Sequence, residues 1–178
     1  MKDIAIVMPV FKCPELLNIS IESILRSHTT NSELIVTVNE MDDETLKILN
    51  YNNVKFIESK KNIGPSAVDL AIPYIKEKQF KYVCNINSDM LVFPGWENII
   101  INTFNENKLP CSVSAMLIEK NSTAAPPIVI VDDLGDFNKE NIVNVFFEKI
   151  KTVNLVNVLF LNALIIYLGW NYSYISMV

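Results

Sequence analysis

The chain has one histidine, His28, and three widely spaced cysteines, Cys13, Cys84 and Cys111, with no Cys-x-x-Cys pair. Structural zinc ligands come in closely spaced pairs, and with no such pair and a single histidine zinc is not expected as an organising centre. An odd number of distant thiols gives no disulfide framework, and free thiols in a reducing compartment are expected. Glycine is scarce too, with four residues in 178. No Gly-x-Gly-x-x-Gly follows the first apolar run, which argues against a nicotinamide dehydrogenase. Positive charge is also short, and the formal net charge is −5. Without a basic patch to release counterions, no nucleic-acid partner is expected. Met1-Lys2-Asp3 leads straight into a strand-like run that is too short, and too acidic at its start, for a secretory signal. A cytoplasmic location is expected, and the sequons at Asn121 and Asn171 then carry little meaning.

Half of the residues are hydrophobic and a fifth are charged. That composition and length suit one domain with a real core. Ile4 to Val10 predicts a strand. Pro14 fits the first position of a helix whose Leu17, Ile21, Ile24 and Leu25 share one face. Leu34 to Val38 predicts a second strand, and Asp42 the cap of a short helix carrying Leu46 and Leu49. Val54 to Ile57 predicts a third strand. A helix from about Pro65 carries Ala67, Leu70, Ala71, Tyr74 and Ile75, and Pro73 inside it should kink or restart it. Tyr82 to Ile86 predicts a fourth strand, and Trp96 to Phe104 another helix. Continuous apolar strands alternating with helices mean an α/β fold with a mostly parallel sheet covered on both sides.

Beyond residue 105 the pattern thins. Ser112 to Ile118 reads as a strand, and Ser122 to Pro127 as a loop. Ile128 to Val131 is a short apolar run ending in Asp132 and Asp133. Asp136 to Glu148 suggests a helix. No charged residue occurs from Thr152 to Val178. Leu155 to Leu168 falls short of the roughly 18 to 20 residues of a membrane span, and Asn157 and Asn162 interrupt it. Three readings stand: a buried strand or helix of the same domain, a membrane-associating tail, or a chain that is incomplete here.

The stretch from Tyr82 to Trp96 is the most informative. An apolar strand stops at Asn87-Ser88-Asp89, and Pro94-Gly95-Trp96 follows. A carboxylate where a strand leaves an α/β sheet lies on the edge where ligands bind. Beside an amide and a hydroxyl it makes a hard-oxygen site, suited to Mg²⁺ or Mn²⁺ carrying a diphosphate. The plainer reading is a turn, in which these side chains satisfy backbone groups.

Four pieces occur in order: Ile4-Ala-Ile-Val-Met-Pro-Val-Phe11, Asp43-Glu-Thr-Leu46, Asn62-Ile-Gly-Pro-Ser-Ala-Val-Asp69, and Asn87-Ser-Asp89 with Pro94-Gly-Trp96. In order and spacing they resemble the family-2 glycosyltransferases of the GT-A type, over about residues 3 to 105. The resemblance implies a Rossmann-like GT-A fold, with residues 1–105 as a nucleotide-sugar-binding unit and 106–178 as a short or truncated acceptor-side part. It implies a nucleotide-sugar donor, a glycan or other hydroxyl acceptor, and a cation. Asp89 matches the last acid of the family's Asp-x-Asp motif. Asn87 replaces the first acid, which removes one charge from the metal site. Pro9 and Phe11 match the corner under the nucleoside, where Phe11 either stacks on the base or joins the core. Asn39 matches a base-recognising acidic position, while Asp42 and Asp43 read as helix caps.

Lys60 or Lys61 can approach the donor phosphates, or simply be solvated. Asp69 matches a position facing the nucleotide, or is a solvated helix residue. Trp96 reads as packing at a helix start, and His28 as a structural residue at a helix end. The general base in the family is a downstream carboxylate, and Asp132 or Asp133 is the internal candidate beside the turn reading. The rival functions are a catalytically inactive nucleotide-binding relic of the same fold and a nucleotidyltransferase. The latter's usual basic, glycine-rich loop after the first strand is missing from Phe11-Lys-Cys-Pro14.

Overall fold

The computed structural model describes residues 2–28, 31–92, 94–106, 116–118 and 164–167. The chain opens with β1 (Ile4–Val10), almost wholly buried. Helix α1 (Pro14–Ser27) follows and starts on its proline, where a missing N–H costs nothing. Then come β2 (Ser32–Asn39), α2 (Asp43–Tyr51) and β3 (Lys55–Ser59). A 3₁₀ segment (Gly64–Ala71) leads into α3 (Ile72–Lys78) and β4 (Tyr82–Asn85). Next are β5 (Met90–Val92) and α4 (Trp96–Glu106), then β6 (Met116–Ile118) and β7 (Leu164–Tyr167).

Two expectations shift. The third strand lies one residue later than its apolar run, because Asn52 caps α2 and the chain still turns at Asn53 and Val54. The expected helix from Pro65 divides into two. The ring of Pro73 clashes with an α-helical turn through the Asp69 carbonyl, so the chain stays 3₁₀ up to Ala71. It restarts as α3 with Pro73 in the first turn, where no donor is needed. The strand Met90–Val92 adds to the strands expected from the sequence.

Contacts divide the chain into two compact units, Met1–Ile21 with Thr29–Asp89, and Glu22–His28 with Met90–Val178. The first holds a four-stranded sheet in the order β3-β2-β1-β4, with every pairing parallel. Side chains alternate across such a sheet. Ala5, Val7 and Ile35 pack on one face with Ala71, joined by Ile57, Val68, Tyr74, Ile75 and Phe80. Ile4, Ile6, Met8 and Val10 point to the other face and are buried. Tyr74 donates to the Glu33 carboxylate at 2.8 Å.

The second unit holds a sheet in the order β5-β7-β6, with β7 antiparallel to β5 and parallel to β6. The Val92 amide donates to Ser23 Oγ at 3.3 Å. Trp96 is buried at the start of α4, as expected of a packing residue. Among the described residues no helix is long and apolar enough to cross a membrane. Within the uncharged tail the described part, Leu164–Tyr167, is a strand. Together these features make an α/β fold, mostly parallel, with flanking helices.

Candidate functional site

The strand order locates a crevice. The chain moves from β1 to β2 to β3 in one direction, then returns to place β4 on the other side of β1. The order therefore reverses between β1 and β4, and ligands of open α/β sheets bind outside the strand ends at such a point. Pro9 marks the same place. The Ile86 amide donates to the Val7 carbonyl at 3.0 Å, so Val7 faces β4. Two residues on, Pro9 presents its backbone to that same side. There the pairing of β4, which ends at Asn85 opposite Val7, has already stopped. A proline in a central strand removes a ladder bond, and here no partner strand remains to need it.

Around this edge the first unit gathers most of the expected residues. Phe11, just past β1, is 42% exposed, so it is not a core residue. Pro9 is half-buried within β1. Asn39 ends β2 and is 4% exposed. Its side chain is engaged on both sides: the Ile63 amide donates to Oδ1 at 2.9 Å, and Nδ2 donates to the Gly64 carbonyl at 3.2 Å. Asn39 thus clamps the loop that leads from β3 to the 3₁₀ segment. Asn62 shapes the same loop by accepting the Gly64 amide at 2.8 Å. Gly64 has φ of +63°, a conformation in which a side chain would be strained. Lys61 is exposed in this loop, and Asp69 is exposed on the 3₁₀ segment.

The turn after β4 carries Asn87, Ser88 and Asp89, all half-buried. It is tied down from α1, where the buried Ser20 hydroxyl donates to the Ser88 carbonyl at 2.9 Å. Among the described residues no three His, Cys, Asp or Glu side chains gather as a metal cluster. One carboxylate and one amide do not make an all-protein cage. They do fit a cation that keeps most of its shell from water and substrate phosphates, as Mg²⁺ commonly does.

Asp42 takes the capping role expected of it. The Thr45 amide donates to its Oδ1 at 2.8 Å, and the Thr45 hydroxyl to Oδ2 at 2.9 Å. The Thr45 amide is the main reason its carboxyl lies below the ordinary value, with a minor contribution from the Lys12 charge. The pairing of Lys12 with Glu40 was not anticipated. Their side chains pair at 3.6 Å across the ends of β1 and β2. Nothing local in the sequence marks two residues that meet only after neighbouring strands align. Asp132 and Asp133 lie outside the described residues, as does Cys111.

The profile of Glycosyl transferase family 2 matches residues 5–127. A comparison with curated proteins finds no match. Among solved structures, S. aureus TarS 1–349 is similar, at 18% identity and TM-score 0.51, over 73% of this chain and 40% of that one. The mannosyltransferase PcManGT from Pyrobaculum calidifontis, solved with GDP-Man and Mn²⁺, is 11% identical, with TM-score 0.49 over 67% of this chain and 36% of that one. Glucosyl-3-phosphoglycerate synthase from Mycobacterium tuberculosis, solved with Mn²⁺, UDP and glucosyl-3-phosphoglycerate, is 14% identical, with TM-score 0.49 over 67% of this chain and 44% of that one. The likeness to TarS 1–349 is one of fold, and the chain spans 40% of the length of that segment.

Proposed function

The chain belongs to glycosyl transferase family 2, and we propose that it moves a sugar from a nucleotide-diphosphate sugar to an acceptor hydroxyl with the help of a divalent cation, Mn²⁺ or Mg²⁺. The observation that carries this reading is the position of Asn87-Ser88-Asp89, directly past β4 and beside the end of β1, where the strand order reverses. Asp89 and Asn87 would hold the cation. When bound, it neutralises charge that develops on the departing diphosphate. Pro9 and Phe11 form the nucleoside corner, with the exposed Phe11 ring offered for stacking. Asn39 serves that corner by fixing the Ile63–Gly64 backbone. Lys61 and Asp69 flank the donor on the same edge. Asp133 is the proposed base that takes the acceptor proton.

Asn87 favours a second reading. An amide in place of an acid removes one charge from the cation site, which suits a chain that holds a nucleotide without turning it over. The two readings share their binding step and differ in transfer.

A thermal-shift panel of UDP and GDP, with and without Mn²⁺, tests the shared step, because a ligand of the native state raises its apparent stability. Stabilisation is expected only when nucleotide and cation are both present. Asp89→Ala should abolish that gain and leave the unliganded melting temperature nearly unchanged. Equal stabilisation of wild type and Asp89→Ala would remove Asp89 from the site. Sugar release from a radiolabelled donor, with a broad acceptor panel, then separates transferase from relic.

A further inference from the structure

Lys12 and Glu40 each stand just past a strand end, and each holds a left-handed backbone, with φ of 45° and 56°. Residues other than glycine enter that region at a cost, and they cluster at ligand clamps and switches. The Glu40 amide is anchored to the Ser59 carbonyl at 3.0 Å, so its position is fixed by β3. The Lys12 ammonium reaches the Glu40 carboxylate at 3.6 Å and lies 5.1 Å from the centre of the Phe11 ring. Both charged side chains are about half exposed, at 55% and 47%. An exposed pair of this kind contributes little to stability and exchanges partners readily.

Position gives the pair a use. Among the described residues, Lys12, Lys60 and Lys61 are the cations that closely follow the C-terminal end of a strand of the parallel sheet. Lys60 and Lys61 follow β3, two strands from β1, on the outer side of the proposed donor. Lys12 follows β1, the strand that borders the crevice. Neighbouring strands are about 4.8 Å apart, a span that a flexible four-carbon lysine stem can cross. A chain of net charge −5 that takes an anionic donor needs such a local cation.

Resting on the donor reading above, we propose that Lys12 binds the donor diphosphate, held on Glu40 before the donor arrives and handed from carboxylate to phosphate oxygens as it binds. No covalent bond changes. Glu40 therefore both stations the cation beside the crevice and competes with the ligand for it. The two partners then have opposite effects on affinity, which a merely structural ion pair would not produce.

Calorimetric titration of UDP and GDP in saturating Mn²⁺ tests this, with uridine and guanosine as probes that lack phosphate. Lys12→Met should weaken diphosphate binding about tenfold by removing a charge-assisted contact. Glu40→Gln should tighten it about threefold, in keeping with a weak competing pair. Neither variant should change nucleoside affinity, and Lys12→Arg should restore most of the diphosphate affinity. Both side chains are exposed, so circular dichroism should report unchanged folding. A loss in both variants, no change in Lys12→Met, or an equal loss for nucleosides would overturn the exchange while leaving the donor reading in place. Failure of the wild type to bind either diphosphate would overturn the donor reading, and the exchange with it.

Discussion

Asn39 satisfies two backbone groups with one amide. It is buried, and its partners, the Ile63 amide and the Gly64 carbonyl, lie 24 and 25 residues further along the chain. Removing the side chain leaves both without that partner, and a buried polar group left unmade costs about 1–3 kcal/mol. Asn39→Ala should therefore lower stability in urea by that amount and loosen the Asn62–Gly64 loop. A change well below that range would mean that the loop holds itself. Asp42 is the local counterpart. Its cap was legible because N-cap and helix are adjacent in sequence, whereas no neighbour of Asn39 hints at its partners. Asp42→Ala should cost about 1 kcal/mol at neutral pH. The Asp42 carboxyl is depressed in the folded chain below its ordinary value of 3.8. The cap's charge-dependent stability is thus present above that value and is lost as pH falls through the folded one. Urea titrations at neutral and at acid pH should show the wild-type advantage shrinking in acid, and an advantage that grows in acid would contradict the cap.

At the scale of elements, apolar patterning found β1, α1, β2, α2, β4 and α4, although β4 buries no residue fully and leaves Val83 exposed. It gave the boundaries less well where capping decides them, as at β3. The segment from Gly64 to Lys78 shows a competition that periodicity cannot weigh. Its apolar residues suit one continuous helix, yet Pro73 forbids the α-type bond to Asp69, and the chain adopts a 3₁₀ run of eight residues first. Such runs seldom exceed three or four residues, so this one depends on its ends being held. Gly64 holds the front end with its φ of +63°, and an added Cβ there meets nothing within 4 Å. The cost of Gly64→Ala is then conformational alone, about 1–2 kcal/mol. Thermal denaturation should show that loss, and Gly64→Asn, which tolerates the left-handed region better, should recover part of it. Equal stability of the alanine variant would mean that the loop relaxes to another turn.

For the molecule as a whole, the reversal of strand order carries more of the functional argument than any single residue. Sequence pattern gave the parallel class and the order of elements along the chain. It did not give β4 its place beside β1, which depends on pairing between segments about 80 residues apart. That placement brings Pro9, Phe11 and Lys12 to the same sheet edge as Asn87 and Asp89, while Lys55 and Lys81 stand at the starts of their strands on the opposite edge. Amide hydrogen exchange tests this division directly. Protection should be highest at Ala5 to Met8 and at Ile35 to Val38, the buried middle of β1 and β2, since opening them requires opening the core. Adding Mn²⁺ with a nucleoside diphosphate stabilises the native state relative to any opening that destroys the site. Local protection should therefore rise at Val10 to Cys13, at Glu40, at Lys61 to Gly64 and at Asn87 to Asp89. The amides around Lys55 and Lys81 should gain only what global stabilisation gives every amide. A ligand-induced rise centred on that opposite edge would place the nucleotide elsewhere and detach Asp89 and Lys12 from it together.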